Sequence, residues 1–272
     1  MNKQSLTYAQ YLKVDALLAL NQPQSTEHDE PLFITIHQVY ELWFRQILHE
    51  IEAAQRALEA GDSFRTIAVL GRVRTILKTC VSQLDILETM TPLQFNSFRD
   101  RLTSGSGFQS AQFRELEAVL GRRNHAGAGA GAGSGMSMSE HLVLGSPARE
   151  RVEAAMARPS LWDSALTYLV GRGHPIPAEV VSRTTTEPYG GDERVQSVLV
   201  DVHHNDPEAG LVCEQLVDID EGMQEWRYRH LKMVERTIGS KQGSGGSSGA
   251  SYLQSTLFHP VFPDLWAIRA LF

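Results

Sequence analysis

Residues 28–50 read HDEPLFITIHQVYELWFRQILHE, and their spacing decides the fold class. From Leu32 onward the apolar positions Phe33, Ile36, Tyr40, Trp43, Phe44, Ile47, Leu48 and Ile51 return every three or four residues. That is the period of a helix with one buried face, not the two-residue period of a strand. Pro31, just behind the acidic pair Asp29–Glu30, suits a first helical turn, where the N–H that proline lacks has no intrahelical partner anyway. Gly61–Asp62 then stops the helix.

Outward from this stretch the helical period continues. Residues 63–90 predict a second long helix, antiparallel to the first. Thr91–Pro92 opens a short helix carrying Phe95, Phe98, Arg99 and Leu102, and SGSG at 104–107 ends it. Further helices are expected over 109–120, 148–157, 161–170 and 194–204. The longest, 207–238, has Leu211, Leu216, Ile219, Met223, Trp226, His230, Met233 and Val234 on or near one face. The proline- and glycine-marked stretch 171–192 reads as loop. So do AGAGAGAGSG at 126–135 and the glycine-serine run before the aromatic C-terminal segment, because alternating glycine costs too much order. With no strand or hairpin pattern, the expectation is one all-α domain of packed long helices over residues 1–272.

Composition narrows the function classes. The 272 residues are 42% hydrophobic, enough for a sizeable core, and carry a formal net charge of -7. That balance disfavours nucleic acid as a partner, since phosphate binding needs clustered Lys and Arg. Cys80 and Cys213 are far apart and form no CxxC pattern, which fits a reducing compartment. The start, MNKQSLTYAQYLKVDALLAL, is too polar for a secretory signal, and no run approaches the ~18 apolar residues of a membrane span. The expectation is a cytoplasmic protein that meets neither membrane nor nucleic acid.

Two histidines stand on apolar helix faces. His37 shares one with Phe33, Tyr40 and Phe44, and His230 follows Trp226 by four residues and precedes Met233–Val234. Such a histidine taken singly is more often a satisfied core residue than a ligand. Two of them on different long helices also suit a haem site, with one axial imidazole and an apolar pocket opposite. The run His203-His204-Asn205-Asp206 reads as a helix end, because adjacent helical side chains diverge by ~100° and rarely share one ion. His28-Asp29-Glu30 reads as a helix start. GSGGSSG at 243–249 lacks the Lys-Ser/Thr ending of a phosphate loop, yet a loop of that kind can fold over a small polar ligand. Arg99 is either a surface residue at a helix end or a fork for a carboxylate.

Four blocks together resemble the tryptophan 2,3-dioxygenase family: 28–50 quoted above, ETMTPLQFNSFRDRLTSGSGFQS at 88–110, WRYRHLKMVERTIG at 226–239 and GSGGSSGASYL at 243–253. They occur in the family's order and at about its spacing, from Tyr8 almost to the C-terminus. The resemblance implies an all-helical, cytoplasmic homotetramer whose helices enclose haem b. Such an enzyme opens the indole ring of L-tryptophan with O2 as co-substrate, giving N-formylkynurenine. It implies His230 as proximal ligand to the haem iron, and His37 on the distal side against the indole N–H. Phe33 and Phe95 would line the indole pocket, Arg99 would pair with the substrate carboxylate, and Ser106 would lie in a distal loop near the haem. Tyr8 and Tyr11 match an N-terminal helix, expected over 5–20, that reaches into a neighbouring subunit.

The chain departs from the family at three places. Ser244 stands where the family has a threonine whose hydroxyl contacts the substrate ammonium, so the rotamer-fixing methyl is lost. A flexible low-complexity loop is expected over 125–136, and 182–195 is only loosely similar. These leave a second function open on the same fold, a tailoring monooxygenase that oxygenates a substituted tryptophan such as β-methyl-tryptophan to a 2-oxindole-type product. A haem-based sensor and a haem-free helical scaffold are the non-enzymatic readings.

Overall fold

The computed structural model describes residues 5–102, 109–123, 139, 142–241 and 249–272, the side chain of Tyr252 apart. The residues it describes contain helices and no strands. In chain order they are α1 (Tyr8–Leu12), α2 (Val14–Leu18), α3 (Glu30–Glu59), α4 (Ser63–Leu87), α5 (Pro92–Arg99), α6 (Ala111–Leu120) and α7 (Pro147–Ala157). There follow α8 (Leu161–Gly171), α9 (Ala178–Val181), α10 (Glu193–Asn205), α11 (Pro207–Ile238), α12 (Ala250–Ser255) and α13 (Pro263–Ala267), with a final 3-10 turn Ile268–Leu271. The all-α expectation is met.

Three long helices make the frame, with α4 packed against both α3 and α11. The buried face of α3 is the one read from the sequence: Ile36, Tyr40, Phe44, Ile47 and Ile51 all point inward. Inside the frame the Tyr40 hydroxyl donates to the Cys80 carbonyl at 2.9 Å, joining α3 to α4. Gly222 of α11 faces Leu77 of α4. The helix starts follow local chemistry. Thr91 and Gln94 form a reciprocal capping box at α5, and Asp206 caps α11 with Pro207 behind it. A buried carboxylate holds the C-terminal segment on α11. Asp220 Oδ2 accepts from Val261 N, Phe262 N and Trp266 Nε1 at 2.8–3.0 Å.

The structure corrects the sequence reading at four points. The single N-terminal helix expected over 5–20 is two short helices. Lys13 breaks it in the left-handed region, with φ 55°, a conformation that costs a residue with a Cβ. Leu211 is not on the buried face of α11 but exposed to solvent. A short helix, α9, sits within the stretch expected to be loop. A second, α12, forms at the end of the glycine-serine run. The segment 125–136 lies outside the described residues. No helix among the described residues is long and apolar enough to cross a membrane.

Candidate active site

A cavity of about 230 Å³ lies between α3, α4, α5, α6, α11 and α12. Five residues singled out in the sequence line it: Phe33 and His37 from α3, Phe95 and Arg99 from α5, and His230 from α11. Most of the remaining wall is apolar, from Leu84, Leu87, Met90, Phe113, Met233 and Val234.

His37 has one nitrogen committed. Its Nδ1 lies 2.7 Å from the Phe33 carbonyl, one turn earlier on α3. A carbonyl only accepts, so Nδ1 carries the proton and Nε2 keeps a lone pair. Burial pushes the His37 pKa below its ordinary value, partly opposed by that carbonyl and by Glu41, so the ring is neutral at pH 7. Phe33 packs on the ring at 4.1 Å between centroids, and Phe33, Phe95 and Phe98 form a triangle with sides of 5.5–5.7 Å. At this end of the cavity the His37 Nε2 acceptor is set among the rings of Phe33, Phe95 and Phe98.

His230 stacks on Trp226, with centroids 4.9 Å apart and planes 13° from parallel. The four-residue spacing noted in the sequence produces this contact, since i and i+4 share a helix face. Its Nδ1 is buried and finds no hydrogen-bond partner among the described residues. Burial, with His37 and Arg114 nearby, holds its pKa down to about 4. The imidazole is therefore neutral, with lone-pair capacity, which is the form that binds a metal.

Sequence reasoning missed the charged corner of the cavity. Glu117 of α6 is buried and takes three guanidinium groups: Arg114 at 2.7 Å, Arg227 at 2.5 Å and Arg122 at 3.4 Å. Burial alone would raise its pKa, but the three cations prevail and hold it down to about 2. Arg227 also donates to the Thr256 carbonyl at 3.2 Å, tying the end of α12 to α11. The i, i+3 pair Arg114–Glu117 was visible in the sequence, but nothing there marked its face as buried.

Other candidate residues stand elsewhere. Tyr8 and Tyr11 are 78% and 74% exposed and do not line the cavity in the single chain. Ser106 and Ser244 lie outside the described residues. His203 bonds to the Leu199 carbonyl and to Glu214, and no group of three metal-ligating side chains occurs among the described residues.

The profile described as tryptophan 2,3-dioxygenase matches residues 1–129 and 204–272. A tryptophan 2,3-dioxygenase of Anaeromyxobacter sp. is 54% identical over 97% of the chain and 96% of its own length. That of Herpetosiphon aurantiacus is 54% identical over 98% of each. A Bacillus cereus protein of the same name is 39% identical over 98% of the chain and 93% of its own length. The stretch the profile leaves unmatched, 130–203, contains the loosely similar 182–195 and the latter part of the low-complexity segment.

Proposed function

The chain belongs to the tryptophan 2,3-dioxygenase family, and from that premise we propose that it is the haem-dependent enzyme that inserts O2 across the indole C2–C3 bond of L-tryptophan, giving N-formylkynurenine. The observation that carries the reading is one apolar cavity lined by two neutral histidines with different endowments. His37 has its Nδ1 spent on Phe33, while His230 has a buried nitrogen without a partner among the described residues.

The residues present fit haem. A lone neutral imidazole beside an apolar cavity is the donor set of an axial ligand, and the Arg114–Arg227 corner suits an anionic edge. Haem b held by His230 would supply the O2 activation that no side chain here can perform.

The chain's own groups then bind and orient. Phe33 and Phe95 recognise the flat indole by shape, and the His37 Nε2 lone pair accepts the indole N–H. Arg99 pairs its planar fork with the substrate carboxylate. Ser244 toward the substrate ammonium, and Ser106 near the haem, rest on the resemblance. The enzyme works as a homotetramer in which the arm bearing Tyr8 and Tyr11 completes a neighbouring subunit's site. The exposure of Leu6, Tyr8, Tyr11 and Leu18 supports this, since a lone chain leaves that apolar surface in water.

The names of the relatives support ring cleavage over oxygenation of a substituted tryptophan, and among the described residues no feature of the cavity favours the latter. The test is reconstitution with haemin, reduction, and exposure to L-tryptophan in air. The expected result is a haem complex in which formylkynurenine absorbance grows. Failure to take up haem, or unchanged tryptophan in a haem-loaded preparation, would refute the reading.

A further inference from the structure

Glu41 stands on the same helical face as His37, one turn further along α3, and lines the cavity. Its surroundings differ from those of Glu117, the other cavity carboxylate. No salt bridge reaches Glu41 among the described residues; Gln112 of α6 holds it instead. Gln112 Nε2 lies 2.9 Å from the Glu41 carbonyl and 2.8 Å from its carboxylate Oε2. Only the amide nitrogen can satisfy two acceptors, so the orientation of Gln112 is fixed. Phe113, the next residue, packs on Phe44 at 5.4 Å and Trp226 at 4.7 Å, which immobilises this part of α6. A cavity-facing carboxylate is thus pinned a turn from a histidine whose one spare nitrogen is an acceptor.

We propose that Glu41, anchored by Gln112, is a positioning residue that strengthens His37 as the hydrogen-bond acceptor for the substrate's ring N–H. The inference rests on the function proposed above. A negative charge in a partly desolvated wall acts at short range on the imidazole and raises the basicity of Nε2. The guanidinium groups around the cavity carry the opposite charge. Arg99 from α5, Arg114 from α6 and Arg227 from α11 supply positive charge and His230 from α11 has the capacity for it, while Glu117 is spent on Arg114, Arg122 and Arg227 and the Tyr40 hydroxyl on the Cys80 carbonyl. Glu41 offsets them and supports His37 basicity, in the same direction as the Phe33 carbonyl. It touches no substrate atom in this account; it acts through His37.

Glu41→Gln tests the idea, because the amide oxygen can still accept from Gln112 while the charge is gone. Binding is read from the Soret shift of the ferric haem protein with L-tryptophan, and with its benzothiophene analogue, in which sulfur replaces the N–H. The variant should bind L-tryptophan roughly three- to tenfold more weakly, the span of a modest change in acceptor basicity. It should bind the analogue unchanged, and Glu41→Asp should recover most of the loss. Equal loss for both ligands, or loss for neither, would overturn the proposal. In the haem-free protein the His37 ring proton followed by NMR should titrate at lower pH in Glu41→Gln, and an unmoved titration would overturn it independently. If wild-type protein shows no Soret shift with L-tryptophan, the parent reading fails, and the NMR titration still decides whether Glu41 acts on His37.

Discussion

The Phe33 carbonyl accepts a 2.7 Å hydrogen bond from Nδ1 of His37, while the Phe33 ring packs on the same imidazole at 4.1 Å. One residue therefore fixes both the tautomer and the plane of the histidine, and does so within a single helical turn. Nε2 is left as the acceptor, beside the rings of Phe33 and Phe95.

His37→Ala should keep its haem and fold while losing the acceptor for the ring N–H. The expected cost in tryptophan affinity is about 1–3 kcal/mol, the span for leaving a buried donor unpaired. Haem content by absorbance and tryptophan affinity by Soret shift check it together. Loss of haem in this variant would mean that the two histidines share or exchange roles.

His230→Ala should abolish stable haem uptake, because no other residue lining the cavity supplies an imidazole on α11. Haemin titration followed by desalting measures it. Retention at the wild-type level would remove His230 from the ligand position.

Arg99→Ala should weaken tryptophan binding by about 2–4 kcal/mol, the loss of a charge-assisted pair. Tryptamine, which lacks the carboxylate, should bind wild type and variant alike. An unchanged tryptophan affinity would place the carboxylate elsewhere.

How much of this was legible beforehand follows from geometry. Helical period alone put Phe33 with His37, and Trp226 with His230, because i, i+4 partners share a face whatever surrounds them. That α3, α5 and α11 bring their candidates to one cavity came from the family resemblance, not from periodicity. The Glu117 cluster was hidden because Arg122 and Arg227 reach one carboxylate from different elements. Gln112, tethered to Glu41 across 71 residues, carried no local mark either. At the N-terminus, helix propensity ran straight through Lys13, where the chain takes a left-handed turn with no glycine to announce it.

Glu117 makes the stability of the fold depend on acid. Its folded pKa of about 2 lies below the ordinary 4.5, so its contribution is complete above about 4.5 and is lost as pH falls toward 2. The loss is on the order of 3 kcal/mol. Glu117→Gln should be destabilised by about 3–5 kcal/mol near neutrality, because the guanidinium groups lose the carboxylate they share. Its stability should also fall less steeply between pH 4.5 and 2. Urea unfolding across that range checks both, and parallel slopes would show that other carboxylates dominate.

The central claim is that this cavity delivers both atoms of O2 to the indole ring of tryptophan. The most direct test supplies the ferrous haem-loaded protein with L-tryptophan and isotopically labelled O2, and weighs the product. Two labelled oxygen atoms in a formylkynurenine are the predicted result. One labelled atom in a ring-intact product would contradict the claim and make the protein a monooxygenase built on the same residues.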